Sequence, residues 1–496
     1  MLKADPGQAN HPSSAAEDRW FIQLIVFLAV ITLLRFVALS LSKTDLFFDE
    51  AQYWSWAQDL SFGYFSKPPL IAWVIWATTS VCGDGEACVR ASVPLFHAGS
   101  AIFLFLAGRD LFDARVGFWS AVIFATLPGI SFSANIVSTD VPLLFFWSAA
   151  LYFAVKLQAE RSWRWAILLG VAIGLGALAK YAMLYFYLCA AVWFVVSPAG
   201  RWLLRDWKGL ALLALPLALL TPNLIWNVNN GLVTFAHTAD NAKLGGPLVH
   251  PGNMLEFLIA QLGVFGPFVF PMLLVIAIRT LRRGGTEEDR YLLAFSVPVL
   301  VLVTVIAFLS RAHANWAATT YPAATILVTA TMLRLKRDTI FSATVGINIV
   351  VLLLLAVAPA IADRLTLPAG GDPFARTMGW RETAHAVREA VEDGQYSAIL
   401  TDDRAMTAEL LYYLRDSGIP IRAWPSDGPP RDHYELTRPF TGGTKEPVLL
   451  VTLREPRNRI TRHFSTAEPI GVEKIDAGPK TTRTVILTSM SGFKGD

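Results

Sequence analysis

The chain has 496 residues, 54% of them hydrophobic and only 16% charged, with a mean hydropathy of +0.45. Soluble domains carry roughly a quarter charged residues. Repeated apolar stretches near the roughly 20 residues that cross a bilayer therefore make this a polytopic membrane protein. A formal net charge of +3, with no basic tract, gives no ground for a nucleic-acid partner.

Residues 1–19 are polar and rich in Ala, Ser and Pro, and read as a disordered cytoplasmic tail. The apolar run from Trp20 is too long for a cleavable signal, and no small-residue cleavage site follows it closely. Spans are expected near 20–42, 92–108, 117–135, 141–156, 165–179, 182–197, 209–226, 254–278, 291–310, 317–333 and 340–361, about eleven in all. The apolar stretch at 70–80 either spans or lies along the surface, and the basic residues decide between these. With 70–80 outside the count and the N-terminus inside, the inner loops hold Arg109 and Arg115; Lys156, Arg161 and Arg164; Arg201, Arg205 and Lys208; Arg279, Arg282, Arg283 and Arg290; Arg334, Lys336 and Arg337. The outer loops hold only scattered charges such as Lys67, Arg90, Lys180, Lys243 and Arg311. Cytoplasmic loops attract Lys and Arg, so 70–80 is read as a juxtamembrane helix and the C-terminus as external.

The stretch FFDEAQYWSWAQDLSFGYFSKPP, Phe47 to Pro69, follows the first span. It sets Asp49, Glu50, Tyr53, Tyr64 and Lys67 among tryptophans and phenylalanines. Carboxylates beside an apolar helix are costly unless they meet water, a partner or a substrate. Tyr53 lies one helical turn past Asp49, so both face the same side. An acidic helix N-terminus followed by an interfacial aromatic belt is the alternative. Cys82 and Cys88 bracket the polar run GDGEA and match no zinc spacing. In an oxidising external compartment they are expected to pair, with two free thiols as the alternative, and Cys189 reads as a core residue.

Further unusual polar residues fall on the same outer side: Asp140; Lys180 and Tyr181; Asn227, Asn229, Asn230, His237, Asp240, Lys243 and His250; and Arg311, His313, Asn315 and Trp316. Each has a plainer explanation: Asp140 as a helix cap, Lys180 as a snorkelling lysine, His237 as a loop residue. After Ile361 the composition turns polar. Helical periodicity covers Arg376–Glu392 and Ala405–Arg415, and β-rich runs appear at Tyr396–Thr401, Ile419–Ala423, Pro447–Thr452 and Thr484–Thr488. Residues 362–496 are thus expected to form a small α/β domain outside the membrane. No nucleophile triad, P-loop or dinucleotide fingerprint appears there, and Asp402-Asp403-Arg404 reads as a strand-end turn and helix cap.

The pair DEAQYW and GYFSKPP resembles the first external loop of the lipid-linked-sugar glycosyltransferases of the GT-C fold. That branch includes the bacterial aminoarabinose transferases that modify lipid A and, more remotely, the protein O-mannosyltransferases. The RAHANW element and the C-terminal pattern resemble proteobacterial transferases that add galacturonic acid or related sugars to lipopolysaccharide. The resemblance covers roughly the first 330 residues. It implies an all-α polytopic GT-C protein with juxtamembrane helices, a catalytic membrane domain over 20–361 and a periplasmic α/β domain over 362–496. The implied activity is inverting transfer of one sugar from a polyprenyl-phosphate donor to lipid A, lipopolysaccharide or another glycan at the periplasmic face of a bacterial inner membrane. Asp49 matches the acidic residue taken as catalytic, Lys67 the lysine of a donor-phosphate contact, and Asp140 the second acidic residue. Fewer spans and a different C-terminal domain set this chain apart from the aminoarabinose transferases.

The chemistry agrees. The donor's tail stays in the bilayer while cations hold its phosphate as charge builds on departure, which suits Lys67 and Arg311 with His313, Lys180 and His237 nearby. A carboxylate takes the acceptor's proton: Asp49, with Asp140 or Glu50 in support. Tyr53, Tyr64 and Trp54 shape the entry. Asp49, Glu50 and Asp140 offer ligands for a divalent metal, although no motif demands one. A protein acceptor is one rival reading. A transporter or flippase of lipid-linked sugars is another, but it would set charges at mid-membrane on broken helices in repeated halves.

Overall fold

The structure, a computed structural model, describes residues 14–241, 249–368, 370–456 and 458–495. Most of it is helix. The first, α1 (Ser14–Leu41), begins inside the expected tail, and residues 1–13 lie outside the described residues. Among the described residues six helices are long and apolar enough to cross a membrane: Asp18–Leu41, Glu86–Leu111, Asp140–Glu160, Trp207–Asn229, Glu287–Leu309 and Asp338–Ile361. Two further pairs of helices qualify only if each bent pair counts as one span.

One of those pairs corrects the sequence reading. The expected span 254–278 breaks between Pro251–Val264 and Val269–Arg283 with a bend of 114°. Gly266 at φ 99° and Pro267 mark the break, because one takes a left-handed backbone and the other cannot donate to the preceding turn. The expected span 117–135 likewise stops at Thr126, where Leu127 turns extended ahead of Pro128. Its helix, Ala114–Thr126, has 13 residues, which is about 20 Å of rise. It packs tightly all the same: a Cβ at Gly108 would stand 2.9 Å from Gly117 Cα, so only glycines allow the two backbones this approach.

Past the first span come α2 (Phe48–Ala57) and α3 (Leu70–Cys82), 10 and 13 residues long. They share a buried core with Val89, Val93, Val137 and Val141, and also with Ala408, Tyr412, Ala423 and Tyr434 from the far end of the chain. Cys82 and Cys88 are joined, with Cα atoms 5.8 Å apart.

The C-terminal segment carries a five-stranded sheet in the order β2-β1-β3-β5-β4. Its strands are β1 (Ala398–Thr401), β2 (Ile421–Ala423), β3 (Val448–Thr452), β4 (Phe464–Asp476) and β5 (Thr482–Phe493). β1 pairs in parallel with β2 and β3, while β3–β5 and β5–β4 are antiparallel. The sequence reading missed β4, an edge strand whose side chains are mostly solvent-facing and which holds Pro469 and Gly471 at a register shift. Helices Trp380–Gly394 and Arg404–Tyr413 complete the segment.

Polar ties lock this segment to the first loop. Asp45 Oδ2 accepts from Trp380 N (2.7 Å), and Leu46 N donates to the Tyr413 hydroxyl (3.0 Å). Ser55 meets the Tyr434 hydroxyl at 3.0 Å. The turn closed by the disulfide adds two anchors. Asp84 takes the Trp54 indole N–H at 2.7 Å and, through its carbonyl, the Tyr412 hydroxyl. Glu86 pairs with Arg381 and accepts from Tyr413.

Candidate active site

The site is built on α2. Phe47 is extended and the helix starts at Phe48, so Asp49 and Glu50 fall in its first turn, where unpaired backbone N–H groups favour negative charge. A 100° step per residue then sends the two carboxylates to different surroundings.

Glu50 leaves the set of candidate catalytic groups. It is fully buried, and all its acceptor capacity is used. Oε1 accepts from Arg90 Nε (2.9 Å) and Val137 N (2.8 Å), and Oε2 from Arg90 Nη2 (2.7 Å) and Phe47 N (2.9 Å). Arg90 also donates to the Thr44 hydroxyl and the Asp45 carbonyl. This paired charge ties α2 to its surroundings.

Asp49 is 38% exposed, and its Oδ1 accepts from Arg404 Nη1 at 2.9 Å. No partner reaches Oδ2 among the described residues. Asp140 has both oxygens engaged, Oδ1 by Lys180 Nζ at 2.7 Å and Oδ2 by Asn315 Nδ2 at 2.8 Å. Both carboxylates act electrostatically on Lys67. Among the described residues its ammonium has neither a hydrogen bond nor an ion pair. Burial, with help from the nearby Lys180 charge, pulls its pKa below the ordinary lysine value against the pull of Asp49 and Asp140.

His237 sits edge-on to Phe65 (ring centroids 5.6 Å apart), its pKa lowered by burial and by the Lys67 and Arg404 charges. Tyr53 is buried, and burial followed by the Asp49 charge raises its pKa. Arg311 and His313 are solvent-exposed, the His313 ring partly enclosed. Burial of its ring, then Arg311 and Arg376, lower the pKa of His313. The structure thus gathers Asp49, Asp140, Lys67, Lys180, Tyr53 and His237, with Arg311 and His313 further out.

Tyr64 is turned toward its own loop. Its ring stacks on Trp56 (4.6 Å), and its hydroxyl serves the Trp56 and Asp59 carbonyls and Ser61 N, so both its face and its polar tip are spent on the loop. The three carboxylates offered for a metal each have their own cation. Among the described residues no three His, Cys, Asp or Glu side chains form a metal-holding group.

Sequence reasoning missed Arg404 and Arg376. Asp403 does cap its helix, as expected, by accepting from Met406 N (3.0 Å). The next residue, however, reaches back to Asp49, and nothing in the local sequence signals that. Arg376 lies over the rings of Phe47 (4.6 Å) and Phe48 (5.4 Å). Asn315 was visible as an outer-face residue, but its tie to Asp140 was not.

An acidic residue with one open oxygen beside an unpaired cation, among the described residues, suits proton transfer next to an anionic group. Comparison with known proteins identifies the class. Residues 66–226 match the family model described as dolichyl-phosphate-mannose-protein mannosyltransferase. The chain is 36% identical over 422 residues to the lipid A galacturonosyltransferase RgtD of Rhizobium johnstonii, covering 85% of this chain and 89% of that protein. The crystal structure of ArnT from Cupriavidus metallidurans in the apo state superposes with a TM-score of 0.63 at 18% identity, covering 95% of this chain and 98% of that one. Its complex with undecaprenyl phosphate gives a TM-score of 0.62 at 16% identity, over 94% and 98% of the two chains. The chain belongs to the GT-C family of polyprenyl-phosphate-sugar glycosyltransferases and is a multi-pass membrane enzyme.

Proposed function

We propose that this enzyme transfers a galacturonic acid residue from a polyprenyl-phosphate donor to lipid A at the periplasmic face of the inner membrane, with Asp49 as general base. One observation carries the assignment: of Asp49, Glu50 and Asp140, Asp49 alone among the described residues keeps an oxygen open beside the unpaired Lys67 ammonium. The acceptor hydroxyl gives its proton to Asp49 Oδ2 while its oxygen bonds to the anomeric carbon. The bond from that carbon to the phosphate oxygen breaks, and the electron pair leaves with the polyprenyl phosphate. Lys67 holds that phosphate as its charge grows, with His237, Arg311 and His313 around it. Lys180 and Asn315 fix Asp140, which orients the acceptor. The sugar and the acceptor are argued from the lipid A galacturonosyltransferase relative.

The membrane arrangement belongs to the same reading: about eleven crossings over 20–361 with the shorter helices included, a cytoplasmic N-terminus and a periplasmic segment 362–496. The charge asymmetry of the loops supports it. Purified enzyme in vesicles, given polyprenyl-phosphate galacturonic acid and lipid A, should yield lipid A carrying one more uronate by mass spectrometry. Transfer only to core oligosaccharide or to protein would refute the acceptor. A C-terminal reporter active only in the cytoplasm would refute the orientation.

A further inference from the structure

Arg404 comes 355 residues after Asp49 in the chain, yet it grips the face of α2 that carries Asp49. Its Nη1 bonds Asp49 Oδ1 at 2.9 Å and Gln52 Oε1 at 2.6 Å, and its guanidinium lies 4.7 Å from the centre of the Phe48 ring. Asp49 and Gln52 are one turn apart, so the two N–H groups of a single guanidinium nitrogen hold both. The root of the arginine is fixed too. Asp403 caps the helix that Arg404 begins, and Ala408 and Tyr412 of that helix are buried in the core shared with α2.

As a stabilising pair this contact is worth little, because both side chains are about a third exposed, at 34% and 38%, and water screens them. Its geometry serves another end. Holding one carboxylate oxygen restricts rotation of the group and leaves the second oxygen aimed and free.

We infer that Arg404 is a positioning residue for sugar transfer: the C-terminal segment reaches back into the membrane domain and sets the angle of the base. This rests on the reading of Asp49 as base. The segment is therefore a working part of the site, and the transmembrane helices alone present a loosely held carboxylate. Misplacing a reacting group by about 1 Å can cost on the order of 10²-fold.

The test uses the full chain in detergent, with kcat measured at saturating donor and donor binding measured separately. Arg404→Ala should lower kcat by about 10- to 100-fold with donor affinity within about threefold. Added guanidinium ion at low, non-denaturing concentration should restore part of the kcat of Arg404→Ala and none of that of Asp49→Asn. Arg404→Lys, which keeps the charge but loses the planar group over Phe48, should fall between parent and Arg404→Ala. It also serves as the working variant if Arg404→Ala does not fold. A kcat within about threefold of the parent, a deficit lying wholly in donor affinity, or one relieved by neither guanidinium nor lysine overturns the inference. If Asp49→Asn is inactive while Arg404→Ala is fully active, only this inference fails. If Asp49→Asn is itself active, the base assignment fails first.

Discussion

Two neighbouring positions of α2 present the same kind of ion pair in two settings. Asp49 meets Arg404, both partly exposed, with one carboxylate oxygen left open among the described residues. One residue along the chain, Glu50 meets Arg90 at 0% and 2% side-chain exposure with no acceptor position unused. A carboxylate that must take a proton needs access and a vacant lone pair. A carboxylate that must hold a loop needs neither. Chemical type and sequence position do not separate the two; accessibility and satisfaction do.

Substitution should break that comparison most sharply. Asp49→Asn keeps the shape and removes the proton acceptor, so transfer should fall by about 10²–10⁴-fold with melting temperature nearly unchanged. Glu50→Gln should do the reverse. It leaves the Arg90 charge buried without its counter-ion and should cost roughly 3–5 kcal/mol of stability, read as lost folded protein in thermal unfolding. Full activity in Asp49→Asn, or a stable Glu50→Gln protein, would collapse the distinction.

Lys67 sharpens it further. Lys67→Ala should weaken donor binding and also lower kcat at saturating donor, since the cation acts on both bound phosphate and departing phosphate. The amine is charged below its pKa and neutral above it, and here that pKa lies below the ordinary 10.5 because burial disfavours the charge. The kcat/KM for donor should therefore decline toward alkaline pH with a limb below 10.5, and Lys67→Arg should push that limb out. An alkaline limb unmoved in Lys67→Arg would assign it to another group.

The disulfide gives a smaller effect. Asp84 and Glu86, both inside the turn between Cys82 and Cys88, anchor the C-terminal segment through Tyr412 and Arg381, and Asp84 also holds Trp54 of α2. Replacing both cysteines by serine should lower stability by about 2 kcal/mol and reduce transfer only several-fold, by loosening the segment that carries Arg404. Alkylation of both thiols without prior reduction, in protein taken from membranes, would show that the bond does not form.

A last effect, on pH dependence rather than on transfer, is expected at Glu409, which is buried with neither carboxylate oxygen bonded among the described residues. Burial raises its pKa well above 4.5, so the folded state keeps a proton that the unfolded chain has already lost. Stability should then fall as pH rises past about 4.5 and level off above the folded value. Glu409→Gln should flatten this slope, measured as melting temperature against pH. An unchanged slope would place the titration elsewhere.

Much of this was legible from residues alone. Length and hydropathy gave a polytopic helical protein, because apolar runs of bilayer length have few other uses. Asp49 and Lys67 stood out because charge beside a greasy span is costly, and the resemblance carried by DEAQYW and GYFSKPP gave the family. Short strands with β-branched runs revealed most of the sheet. The mostly exposed β4 escaped, because an edge strand facing water has no buried face to write into its sequence. Tertiary structure decided the rest. It took Glu50 and Tyr64 out of the chemistry by spending their polar atoms on Arg90 and on loop carbonyls. It gave Asp140 the partners Lys180 and Asn315, and it gave Asp49 an arginine from the other end of the chain. Local sequence sets what a side chain can offer. Which lone pair stays vacant depends on residues brought close by folding, and that proximity leaves no local trace.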